Sequence, residues 1–235
     1  MSGENKKNLL TYLIFLSIAV TGIFYGNAIK QDYPQLRIWG FNNILIMLVG
    51  VPFVLLQSKA GVPDSRKGEM SGRDSLRYPV LIGAIFGILD VIVFKIILHP
   101  QPYDTLPPFV QPFPYSLFLY FSGAFEVEVF YRLIPLTAIL FLGKVFMKGK
   151  YLKVFFIAGA LLTSVREPLE QLPSAPSLLI VYSLTTGFLM NLIQALFFRK
   201  AGLISSLLLR LGHYMIWHIL LGIYIEYIEL PGINH

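Results

Sequence analysis

Glu126, Glu128 and Arg132 fall within seven residues, in the middle of an apolar run from Ser116 to Leu142. Hydrocarbon solvates charge poorly, and even the low, insertion-based scales put an Asp, Lys or Arg at a helix centre at about 2.5 to 3.5 kcal/mol. Three charges so placed must be compensated by some interaction, and that is where chemistry can reside. On a helix Glu128 and Arg132 are i and i+4, share a face and can pair. Glu126 stands about 200° from Glu128 and about 120° from Arg132, aimed at another helix. A second polar set (Arg210, His213 and His218) lies in the apolar run 203–228. Counted from the ends of their runs, both sets lie near the midplane of a bilayer at about 1.5 Å per residue. A carboxylate and an imidazole at one depth can activate a water, with the carboxylate as general base.

Each of these residues also has a plain structural reading. Glu128 and Arg132 can be an intrahelical ion pair, and His213 can be hydrogen-bond glue between helices. Trp217 and His218 lean toward packing, and so do Asp90 and Lys95, about 140° apart on their helix. Asn191 and Gln194, at i and i+3, suit stitching of neighbouring helices. His99 falls in a loop and His235 in the tail, so both should be solvated. A metal site is not expected: there is no His-Glu-x-x-His, and His213 and His218 are i and i+5, which do not share a face as i and i+4 would. No phosphate loop, nucleotide fingerprint or Ser-His-Asp order is present, and no cofactor is expected.

The elements that must position these residues follow from composition. The chain has 235 residues, 55% hydrophobic and 14% charged, against about 25% charged in a soluble domain. Its mean hydropathy is +0.66. The class is all-α, a polytopic transmembrane helical bundle forming one membrane domain over residues 1–235, with no room for a separate soluble module. There are no cysteines, which removes disulfides, thiolate metal sites and thiol nucleophiles. The net charge of +6 sits in short loops and not on a stripe, so it is a topology signal and gives no reason to expect a nucleic-acid partner.

Seven apolar runs are expected as spans: about 9–28, 38–56, 79–98, 116–142, 154–165, 177–198 and 203–228. The first is long and lacks a small-x-small cleavage pattern, which favours a retained helix over a signal peptide. The fifth is short unless it continues through Arg166 to Gln171, and an eighth, kinked segment near Pro168 or Pro173 would alter the count. Residues 100–114 hold six prolines and no Lys or Arg, so they form an irregular loop. Alternate loops carry thirteen and three basic residues. The positive-inside rule then places the N-terminus in the cytoplasm and the C-terminus outside, in an integral protein of the cell membrane.

At these residues the chain resembles the CAAX-protease and bacteriocin-processing (CPBP, or Abi) family of intramembrane proteases. That family carries Glu-Glu-x-x-x-Arg on one helix, Phe-x-x-x-His about thirty residues on, and His-x-x-x-Asn near the C-terminus after a basic-Gly turn. Phe125-Glu126-Val127-Glu128-Val129-Phe130-Tyr131-Arg132 resembles the first motif. Arg199-Lys200-Ala201-Gly202 followed by His213-Tyr214-Met215-Ile216-Trp217 resembles the last. The likeness covers about 116–223. Aligned on Arg132, the family's first Glu falls on Val127, the middle motif's His falls on Arg166, and the last motif's Asn falls on Trp217.

The resemblance implies a peptide or protein substrate met at the lipid bilayer and hydrolysis of a peptide bond near the membrane. Glu126 or Glu128 would activate water, Arg132 would hold the carboxylate, and His213 would bind or polarise the carbonyl. Arg166, Trp217 and His218 would then lie along the substrate, although Arg166 can equally pair with Glu170 at i+4. The alternatives are a pseudoprotease that binds membrane peptides, or a small proton-coupled transporter relaying through Asp90, Glu126, Glu128 and His213. One distance separates them. A glutamate across a wet cavity from His213 favours hydrolysis, whereas dry ion pairs of both glutamates with Arg132 and Arg210 favour a scaffold.

Overall fold

The computed structural model describes residues 3–33, 35–63, 69–70, 72–171 and 176–233. His235, Pro173 and the basic pair Arg66 and Lys67 lie outside the described residues. The described residues form helices and loops, without a strand. In chain order the helices are α1 (Gly3–Ile29), α2 (Phe41–Ala60), α3 (Asp74–Ile97), α4 (Tyr115–Phe146), α5 (Leu152–Glu170), α6 (177–201) and α7 (203–232).

Among the described residues, five continuous helical runs are long and apolar enough to cross a membrane: Asn5–Ile29, Asn42–Ala60, Asp74–Ile97, Tyr115–Phe146 and Ser177–Gly232. The last is 56 residues long, and it breaks at Gly202, where φ is 82° and ψ is −175°. A side chain at that φ would be strained, so the residue after Arg199-Lys200-Ala201 is one that needs no Cβ. The break separates α6 from α7. α5 continues the short apolar run 154–165 to Glu170, with Pro168 inside its last turn.

α4 is the most enclosed of the five membrane-length runs. Phe125, Val129, Leu133, Leu136 and Leu140 recur at helical spacing along it. They are fully buried against Tyr12 and Ala19 of α1, Met47 and Val54 of α2, and Phe198 and Leu207 of α6 and α7. The charged stretch therefore sits inside the bundle. α3 and α7 approach so closely that a Cβ on Gly83 would lie 1.9 Å from the Leu209 carbonyl oxygen. Small residues allow such contact where helices cannot rely on the hydrophobic effect.

Three helices change pitch at the polar residues. α3 becomes π-helical at Val91–Ile97, directly after Asp90. α4 does so at Val129–Leu133, directly after Glu128, and α7 at Met215–Leu220, two residues after His213. A π turn inserts a residue and rotates everything beyond it, and such turns concentrate at functional sites.

Candidate functional site

Glu128 and Arg132 are both fully buried, yet their i,i+4 contact is long, at 3.9 Å from Nε to Oε1. The π turn that starts after Glu128 shifts Arg132 out of the register an α-helix would supply. Arg132 reaches instead to other helices. Its Nη1 donates to Glu167 Oε2 at 3.0 Å and its Nη2 to Gln194 Oε1 at 2.9 Å. Arg210 meets the same carboxylate from α7, Nη1 to Glu167 Oε1 at 2.7 Å and Nη2 to Oε2 at 2.8 Å, and Nη2 also reaches Asn191 and Gln194. Glu128 accepts from Ser206 Oγ at 2.5 Å and from Gln194 Nε2.

The network joins four helices and holds two carboxylates with two guanidiniums. Its net charge is zero, which lowers the cost of taking ions out of water. Asn191 and Gln194 stitch as their spacing suggests. Glu167, the centre of the network, was not among the expected site residues. Its neighbour Arg166 was, but Arg166 is half-exposed, pairs with Glu170 at 2.7 Å and covers the Phe130 ring. One step along α5 turns a side chain by about 100°, so Glu167 faces the core and Arg166 does not.

His213 meets neither glutamate. Its Nε2 lies 2.7 Å from Asp90 Oδ2, and Asp90 Oδ1 accepts from Tyr182 Oη at 2.8 Å. A carboxylate only accepts, so Nε2 carries the hydrogen. His213 Nδ1 is enclosed and without a described partner. Both residues line the adjoining cavity, and Asp90 is the more exposed of the pair, its side chain 18% exposed against 10% for His213. That cavity, of about 260 Å³, is lined by Asp90, Tyr182, Glu167, Arg210, His213 and His218 among others, Trp217 included. Trp217 stacks on Phe109 of the Pro-rich loop at 4.8 Å.

His218 was expected to point away from His213, but the π turn between them brings the two rings to 6.2 Å and both onto one cavity. The π period of i to i+5 replaces the α period on which the expectation rested. His218 Nδ1 lies 2.5 Å from the Phe109 carbonyl oxygen, and the ring stacks on Tyr120 at 4.3 Å. A carbonyl accepts, so Nδ1 is the donor and Nε2 is the ring's remaining nitrogen.

Glu126 turns to α2, where Asn43 Nδ2 donates to its Oε1 at 2.9 Å. It lines a second cavity of about 360 Å³, together with Arg37, Trp39, Asn43, Tyr120 and Tyr214. Gln171, Tyr214 and His218 border both cavities. Lys95 closes a further ion pair with Glu229 at 2.7 Å, and His99 stacks on Tyr103. No group of three His, Cys, Asp or Glu among the described residues is placed to hold a metal ion.

No family model, characterised protein or solved structure matches the chain.

Proposed function

We propose that the chain is a seven-span membrane protein whose polar cavity hydrolyses a peptide bond, with the Asp90 carboxylate as general base. The observation that carries this is the contact of Asp90 with His213 and Tyr182 on a cavity wall. A carboxylate beside an imidazole at one depth is the pairing the residues called for, supplied by α3 and not by α4. Two donors fix the Asp90 rotamer, and the cavity it lines, about 260 Å³, has room for water beside the carboxylate. Asp90 takes a proton from water as the oxygen bonds to the carbonyl carbon. The carbon–nitrogen bond then breaks, and the proton passes from Asp90 to the departing amine.

In this reading Glu128 and Arg132 hold the helices that carry the site, and Glu126 lies beside it. The order of the motifs along α4 and α7 supports a divergent relation to the CPBP proteases, with the base moved to another helix. Seven spans follow if the break at Gly202 divides the 56-residue run and α5 also crosses. Val154, Ile157, Leu161, Leu162 and Val165 face outward along the middle of α5, while its exposed charges, Lys153, Arg166 and Glu170, lie toward its two ends. The excess of Lys and Arg then puts the N-terminus on the cytoplasmic side of a cell membrane.

The test is cleavage of a mixture of quenched hydrophobic peptides by the full chain in nanodiscs. Asp90→Asn should slow cleavage by about 100-fold or more, and a wild-type rate in that variant would overturn the assignment. If the wild-type chain binds the peptides and cleaves none, the pseudoprotease reading takes its place.

A further inference from the structure

Glu126 differs from the other carboxylates of the bundle interior. Glu128 and Glu167 each face two arginines, Asp90 has His213 and Tyr182, and Glu229 has Lys95. Glu126 has one described partner, the neutral Asn43 amide, which engages Oε1 and holds the side chain toward α2. No cation among the described residues pairs with it, and Arg37, on the same cavity wall, is not within ion-pair distance.

Three aromatic side chains, Trp39, Tyr120 and Tyr214, share that wall with Leu119, Val127 and Gln171 around a space of about 360 Å³. A carboxylate set among aromatic rings is the chemistry that recognises an ammonium or guanidinium, because the rings present negative faces to the cation while the carboxylate balances its charge. The cavity also borders the Asp90 cavity through Gln171, Tyr214 and His218. A chain lying across those three residues would place one side chain beside Glu126 while its backbone lay beside Asp90.

We infer that the Glu126 cavity is a subsite for a Lys or Arg side chain of the peptide substrate. The inference rests on the hydrolase reading for the identity of its ligand, but binding alone tests it. The probes are two hydrophobic peptides of equal length, identical except for a single central lysine in one and norleucine in the other. Affinities are measured for the full chain in phosphatidylcholine nanodiscs.

Wild-type protein should bind the lysine peptide about tenfold more tightly, the size of a partly desolvated cation contact. Glu126→Gln should remove that preference while leaving the norleucine affinity unchanged. Asp90→Asn should keep it, so that failure of the catalytic assignment and failure of the subsite are distinguishable. Equal binding of the two peptides by the wild type would overturn the inference without any variant having to fold. Preference for lysine surviving in Glu126→Gln would overturn it as well. If phosphatidylethanolamine competes where the lysine peptide does not, the ammonium belongs to a lipid and the peptide assignment fails.

Discussion

Glu167 accepts hydrogen bonds from two guanidiniums at once, and among the described residues those two cations share one other carboxylate, Glu128. Removing its charge leaves an excess cation in a buried network, which costs far more than the pair itself contributes. Glu167→Gln should destabilise the bundle by about 3 to 5 kcal/mol, read as a drop in Tm of roughly 10 °C in detergent micelles. Arg166→Ala, one residue away on an exposed pair, should leave Tm unchanged. An unchanged Tm in Glu167→Gln would mean that the network does not hold the bundle together. At this scale the sequence showed which residues are costly but not whom they meet. Glu126, Glu128, Arg132, Arg210 and His213 stand out because charge in an apolar run needs a cause. Their partners lie on other helices, from 16 to 123 positions away, and spacing along one helix carries no such information. Asp90 was visible for the same reason as Glu126, but nothing local distinguished a partner of His213 from a packing residue.

At the scale of elements, the site depends on how closely α3 approaches α7. A Cβ on Gly83 would meet the Leu209 carbonyl oxygen at 1.9 Å, and one on Gly212 would meet the Val80 carbonyl oxygen at 2.4 Å. Backbone cannot yield as a flexible side chain does, so a methyl group at either place must separate the helices. Gly83→Ala should cost about 1 to 3 kcal/mol and draw Asp90 away from His213. It should therefore lower peptide cleavage even in the fraction that remains folded, whereas Gly72→Ala, with open space around it, should alter neither. Wild-type cleavage and Tm in Gly83→Ala would show that the helices have slack. The apolar runs, the Pro-rich loop and the turn at Gly202 were legible, because length, proline content and a glycine after a basic pair each have direct conformational consequences. The π turns were not. They add a residue to a turn without any residue type that announces them, and one of them brings His218 beside His213 where the α period would part them.

For the whole molecule, the number of crossings decides which side of the membrane the cavities serve. Gln171 and Arg37, on the walls of the Glu126 cavity, belong to segments that seven crossings place at the outer face. The chain contains no cysteine, so a single introduced thiol reports its own side without interference. Asp104, Lys150, Ser177 and Lys200 are exposed, the first two in loops and the last two at the ends of α6. With seven spans, Asp104→Cys and Ser177→Cys should react with an impermeant maleimide on intact cells, and Lys150→Cys and Lys200→Cys only after permeabilisation. If α5 does not cross, Ser177→Cys will label with Lys150→Cys and not with Asp104→Cys. The positive-inside asymmetry argues for the first pattern, because Lys144, Lys148, Lys150, Lys153, Arg199 and Lys200 then share the cytoplasmic face. Labelling of Lys150→Cys and Lys200→Cys from outside would invert the molecule and turn both cavities toward the cytoplasm.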